Sequence, residues 1–276
     1  MEALDIYNRL KKQGKAPLFY NGGAEIITMR RIYALYTEAN AIIDIKKIPE
    51  CITVEVQDDQ LVIGSSVSLA YLEEINEFPL LSKVCSRIAD HTSREKITIG
   101  GNICGNIKYK EAVLPLLLTD CDIVIANDSG LEQVPIQKVF DKRIHLDPGS
   151  FIVQIIINKR FLKKLFISKK VTRIDRIGYP LITVSAIKMK NKLRFAFSGL
   201  CESPFRSSQV EDALNDQTKS IEERINSAIG RLPESIVDDA EGSAAYREFV
   251  LRNTLEESIT VLERNEGHGT SNRIDD

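Results

Sequence analysis

The stretch Thr98-Ile99-Gly100-Gly101-Asn102-Ile103-Cys104-Gly105-Asn106 constrains this chain more than any other, because three glycines fall within six positions. Main chain without Cβ atoms is open to close approach by another loop or a ligand, and uncovered amides suit a phosphate. A second pair, Asn21-Gly22-Gly23-Ala24, follows the apolar run from Pro17 to Tyr20 and repeats the order strand, bare turn, apolar restart. Two such turns are expected to clasp one ligand. Neither the dinucleotide fingerprint Gly-x-Gly-x-x-Gly nor the Walker pattern occurs, which disfavours the familiar nucleotide folds.

Composition removes other classes. Lys plus Arg number 37 against 39 for Asp plus Glu, a net charge of -2, and no block of like charge tracks a nucleic-acid backbone. Cys51, Cys85, Cys104, Cys121 and Cys201 are widely scattered without a Cys-x-x-Cys pair, so reduced thiols are expected and no iron-sulfur cluster on this chain. His91, His145 and His268 never pair at helical spacing, which gives no metal site and no Cys-His couple. Met1 to Asp5 carry no basic leader, and no apolar run approaches the roughly 20 residues that cross a bilayer. A cytoplasmic protein without a membrane span is the expectation.

Apolar periodicity predicts a helix over 2–12, a strand at 18–20 and a helix over 24–36. Strands are predicted at 41–45, 52–56 and 61–67, helices at 68–75, 80–89 and 112–119, and strands at 122–126 and 151–157. From about 163 the pattern changes to longer strands at 165–169, 181–190 and 193–200, the last two joined as a hairpin by Lys190-Asn191-Lys192. Helices follow at 207–214, at 220–229 with Ser220 and Glu223 in capping-box spacing, and at 242–262 with Leu251, Leu255, Ile259 and Leu262 in one stripe. This reads as an α+β chain with subdomains at 1–55 and 56–162, an antiparallel-sheet-plus-helices domain at 163–264 and a disordered tail at 265–276.

Four stretches together resemble one family. Asn21-Gly22-Gly23-Ala24-Glu25-Ile26-Ile27 is similar to the Ala-Gly-Gly-Thr-Asp-Leu-Leu turn, and Thr98 to Asn102 to the Thr-Ile-Gly-Gly-Asn turn, of the FAD-binding medium subunits of molybdenum hydroxylases such as xanthine dehydrogenase and carbon monoxide dehydrogenase. Ser198-Gly199-Leu200-Cys201-Glu202-Ser203-Pro204-Phe205-Arg206 looks like that family's Gly-Gly-Val-x-x-x-Pro-x-Arg run, and Gly242 to Arg247 like its Gly-Ser-x-x-Tyr-Arg helix start. The resemblance implies a two-part FAD-binding domain followed by a C-terminal domain.

It also implies site residues. Both glycine turns would give amides to the FAD pyrophosphate, nominating Asn21, Gly22, Gly23, Ala24, Glu25 and Ile26 with Thr98, Ile99, Gly100, Gly101 and Asn102. Glu111, nine residues beyond Asn102, matches an acid that takes a ribityl hydroxyl, or is a solvated helix-start carboxylate. Lys169 matches a lysine beside the flavin ring, with Lys170 next to it, or both decorate an exposed strand end. Three positions depart from the pattern: Ala24 replaces Thr, Ile107-Lys108-Tyr109 replaces a Ser-Pro pair, and Arg176-Ile177-Gly178-Tyr179 stands where relatives carry an acid.

The function implied is that of an FAD-carrying electron-transfer subunit of a xanthine dehydrogenase-type complex. A molybdopterin-binding large subunit would oxidise the substrate, a purine by family precedent, and a [2Fe-2S] small subunit would pass electrons to FAD and on to NAD+. The alternatives are a stand-alone flavin oxidoreductase or diaphorase, and a scaffold subunit that has lost its flavin.

Overall fold

The computed structural model describes residues 2–174 and 178–264. The tail expected at 265–276, and Arg176 and Ile177 of the third departure, lie outside the described residues. The chain is α+β, as expected.

Helix α1 (Glu2–Lys12) opens the chain, with Glu2 and Asp5 in its first turn and Arg9, Lys11 and Lys12 in its last, charges that complement the helix dipole. Strand β1 (Pro17–Tyr20) and strand β2 (Ala41–Asp44) pair in parallel. Parallel strands need a crossover, and helix α2 (Ala24–Tyr33) supplies it. The helix expected to reach Tyr36 stops at Ala34, which takes φ 54°.

The middle of the chain begins with α3 (Pro49–Ile52), where Pro49 in the first turn favours helix and pushes the strand expected at 52–56 back to β3 (Val54–Gln57). The expected boundary at 55/56 therefore falls inside β3, which pairs with β4 (Gln60–Gly64). Helices α4 (Leu69–Ile75), α5 (Pro79–Cys85), α6 (His91–Arg94), α7 (Ile99–Cys104) and α8 (Val113–Thr119) follow. Next come β5 (Asp122–Asn127), β6 (Gly130–Pro135), α9 (Ile136–Val139), the hairpin β7 (Phe140–Asp141) and β8 (Arg143–Ile144), and β9 (Phe151–Asn158).

Strand β9 returns to the centre of an antiparallel sheet ordered β3-β4-β9-β5-β6. Both its faces are covered: Ile155 and Ile157 enter the large core with α4, α5, α7 and α8, while Phe151 and Val153 meet Leu4 of α1 on the other side. A strand buried on both faces reads as a continuous apolar run rather than an alternation. Every residue of α8 is buried, because it lies between this sheet and the next.

The remaining chain forms its own sheet and core. Strands β10 (Phe166–Thr172), β11 (Pro180–Lys188), β12 (Leu193–Ser198) and β13 (Phe205–Arg206) are antiparallel in that order. Helices α10 (Ser208–Leu214), α11 (Ile221–Ile229) and α12 (Ala244–Arg264) pack on it, α11 with the predicted Ser220/Glu223 capping box and α12 through Leu251, Leu255, Ile259 and Leu262. Arg247 of α12 is fully buried and donates to the Leu181 and Gly199 carbonyls and to Asp239, tying α12 to β11 and to the turn that follows β12. Among the described residues no helix is long and apolar enough to cross a membrane.

Candidate cofactor-binding site

A cleft of about 830 Å³ is lined by both glycine segments and by residues from β9, β10 and the loop before α8. That is toward the upper end of the roughly 300–1,000 Å³ typical of small-molecule sites. Asn21, Gly22, Gly23, Ala24, Glu25 and Ile26 line it from one segment, Thr98, Gly100, Gly101 and Asn102 from the other, and Glu111 joins them. Ile99 does not: its side chain is in the core at 0 % exposure.

The first segment is an uncapped helix start. Gly23 is the N-cap of α2 at φ 72°, a conformation that suits glycine, and offers no side-chain acceptor. The first intrahelical bond runs from the Ile27 amide to the Gly23 carbonyl at 3.0 Å. Helix geometry therefore leaves the amides of Ala24, Glu25 and Ile26 without intrahelical acceptors. These are donors for an anion, reinforced by the positive end of the helix dipole.

The second segment departs from the bare turn expected of it. Residues 99–104 form α7, and its amides are engaged within the protein. Ile99 N–H donates to Val67 (2.9 Å), Gly100 N–H to Ser65 (2.9 Å), Asn102 N–H to Thr98 (2.8 Å), and Gly101 N–H to the Thr98 hydroxyl (3.2 Å). Gly100 is needed because a Cβ there would stand 2.7 Å from Ser65 Cβ and 2.8 Å from its carbonyl. Gly101 differs: an added Cβ would meet only Thr98 Oγ1 at 2.9 Å and otherwise stand in the cleft.

The segments touch each other. Asn21 Nδ2 donates to the Ser65 carbonyl at 3.0 Å, and a Cβ on Gly22 would fall on the Lys96 carbonyl. Glu25 is the strut between them: its carboxylate accepts from the Asn106 amide (2.8 Å), the Ile107 amide (3.0 Å) and the Tyr36 hydroxyl (2.8 Å). Tyr36 sits at φ 60°, and burial followed by the Glu25 carboxylate pushes its hydroxyl pKa up. Local sequence carries no sign of this group of four, since its members are up to 82 residues apart.

Glu111 is not a solvated helix-start acid. Its carboxylate is buried, accepting from Lys170 Nζ at 3.0 Å and Thr183 Oγ1 at 2.8 Å. Burial raises its pKa, against the opposing pull of Lys170. Of the two adjacent strand lysines the one at the cleft is thus Lys170, which also donates to the Arg87 carbonyl at 2.8 Å. Lys169 lies outside the cleft and pairs with Glu257 of α12, because successive strand residues point to opposite faces. The expectation for Lys169 is corrected on this ground.

A family profile described as "FAD binding domain in molybdopterin dehydrogenase" matches residues 2–159. The chain belongs to this FAD-binding family. The "Xanthine dehydrogenase FAD-binding subunit" of Escherichia coli O157:H7 is 28% identical over 150 residues, 52% of this chain and 49% of the relative. The "Nicotinate dehydrogenase FAD-subunit" of Eubacterium barkeri is 23% identical over 155 residues, 52% and 51% of the two chains. The chain thus spans about half the length of the curated relatives it matches. Carbon monoxide dehydrogenase from Hydrogenophaga pseudoflava shares the fold at TM-score 0.82 and 19% identity, covering 95% of this chain and 94% of that one. Quinoline 2-oxidoreductase from Pseudomonas putida 86 does so at TM-score 0.83 and 16% identity, covering 97% and 95%.

The residues present fit FAD. The open amides of Ala24, Glu25 and Ile26 suit its diphosphate, the bare Cα of Gly101 leaves room that a side chain would fill, and Ile88, Ile97, Ile152 and Tyr179 give apolar wall for flat rings. No cluster of His, Cys, Asp or Glu suited to a metal occurs among the described residues.

Proposed function

We propose that this FAD-binding chain is the flavin subunit of a molybdenum hydroxylase of xanthine dehydrogenase type. A molybdopterin-bearing large subunit and a [2Fe-2S] small subunit are its partners, and NAD+ is the acceptor. What supports the reading above all is the family match over 2–159 together with a cleft whose α2 amides are left open. Bound FAD supplies the exchange between one-electron carriers and a two-electron acceptor.

This chain's residues bind and orient. Ala24, Glu25 and Ile26 hold the diphosphate through backbone amides, so the hydroxyl missing at Ala24 is dispensable. Gly101 and Thr98 form the facing wall, Gly22 lets the two walls meet, and Gly23 leaves room for the Tyr20 ring of its own segment. Lys170, fixed by Glu111 and the Arg87 carbonyl, takes the part the resemblance gave Lys169, a cation near the flavin where negative charge gathers on reduction.

The test is direct. Purified protein is expected to release FAD on denaturation, to co-purify with molybdenum- and iron-sulfur-bearing chains, and to have its dithionite-reduced flavin reoxidised by NAD+. A well-folded chain that neither carries nor takes up FAD overturns the reading. Flavin that NAD+ fails to reoxidise, but a quinone or oxygen does, replaces the acceptor alone.

A further inference from the structure

Lys110 has no part in the clasp described so far. It is only 5 % exposed and lines the cleft. Its carbonyl accepts from the Val113 amide at 2.9 Å, yet its ammonium makes no hydrogen bond or ion pair with any described residue. Its neighbours in sequence are engaged: Lys108 pairs with Asp239, and Glu111 with Lys170. Its backbone takes φ 35°, a strained setting for a long side chain, and such strain is kept where surroundings and function require it.

A buried ammonium without a partner is costly, and burial indeed lowers its pKa. The opposing charge that acts on it most is Glu25, but both Glu25 oxygens already accept from Tyr36, Asn106 and Ile107. The cation is therefore set against an anion that the protein does not itself provide. Its position selects which anion: it feels Glu25 of the first α2 turn and the repelling Arg143 of β8, a strand packed on α7, whereas the other cleft lysine, Lys170, sits with Glu111. Lys110 belongs to the end of the cleft where the α2 amides are open.

We infer that Lys110 is a further cofactor-binding residue, its ammonium meeting the diphosphate of the dinucleotide alongside the amides of Ala24, Glu25 and Ile26. The inference rests on the reading of the cleft as an FAD site. A charge-assisted bond to phosphate from a buried lysine is among the stronger polar contacts a protein makes.

Deflavinated chain is titrated with FAD, FMN and riboflavin at several salt concentrations. Lys110→Met is expected to weaken FAD about tenfold, to leave riboflavin unchanged and to flatten the salt dependence of FAD affinity; Lys110→Arg keeps FAD within about twofold. Lys110→Gln, with melting curves for all variants, separates misfolding from lost contact. Unchanged FAD affinity in Lys110→Met and Lys110→Gln overturns the inference. So does an equal loss of riboflavin, which marks a packing role, or a shifted flavin potential at constant FAD affinity, which puts the cation at the ring. If the wild-type chain takes up no flavin at all, the cofactor reading fails and the inference with it.

Discussion

Gly22-Gly23 and Gly100-Gly101 look alike in sequence and are used in opposite ways. The first pair precedes a helix whose N-cap has no side chain, so three amides remain for a ligand. The second opens a helix capped by Thr98, with the amides of residues 99–102 consumed by Val67, Ser65 and Thr98. Glycine pairs mark close approach, whether by a ligand or by the chain itself. The N-cap residue separates the two cases, since Thr supplies an acceptor and Gly leaves the donors open.

The comparison breaks first where backbone meets backbone. Gly22→Ala would drive a Cβ into the Lys96 carbonyl, and neither partner is a flexible side-chain end. The expected cost is about 3 kcal/mol in urea denaturation, with loss of bound FAD, because the two walls must separate. Glu25→Gln comes next. It replaces one acceptor oxygen with a donor facing an amide at Asn106 or Ile107, an expected cost of about 2 kcal/mol. Weaker flavin retention should accompany it; a variant that loses stability but holds FAD normally would show that the strut does not set the spacing of the walls.

How much of this was legible follows the range of the forces involved. The stripe of α12 and the capping box of α11 are local patterns and stand as expected. The helix at 99–104 was hidden because two adjacent glycines argue against helix, and what holds it is tertiary: bonds to Val67 and Ser65 that no local pattern announces. Strand periodicity says that Lys169 and Lys170 face opposite ways, but which one meets the cleft is set by the pairing of β10 with β11 and by Glu111. Lys110 lies in a stretch without period, so its strained backbone and its burial emerge only from the fold.

The second segment also has an anchor that the first lacks. Lys108, just beyond it, pairs with Asp239, which also holds Arg247. Burial pushes the Asp239 carboxyl up, but Lys108, the Glu241 amide and Arg247 outweigh it and hold the pKa down to about 2. Against an ordinary value of about 4, a depressed carboxylate contributes stability above pH 4 that is lost as pH falls through about 2. Denaturation curves should show up to about 2 kcal/mol vanishing between those limits, and Asp239→Asn should flatten that acid limb. An unchanged limb would mean that the joint is held by Arg247 and the Leu181 and Gly199 carbonyls alone.

The smallest effect on stability is expected at Gly101, where it discriminates best. A methyl there meets only Thr98 Oγ1, at 2.9 Å, and replacing glycine inside a helix gains about 0.5–1 kcal/mol, which offsets crowding at the cap. Gly101→Ala should therefore melt within about 0.5 kcal/mol of wild type, in contrast to Gly22→Ala. Gly101→Val projects further into the cleft and should raise the FAD dissociation constant at least about tenfold, read by flavin fluorescence on titration. Its β-branch costs helix propensity by about 0.5 kcal/mol, too little to unfold the segment. Stoichiometric FAD in Gly101→Val would reduce the second segment to a packing element and leave the α2 amides as the diphosphate's main contact. A collapse in stability would place Gly101 with Gly100, as a site of close approach within the chain itself.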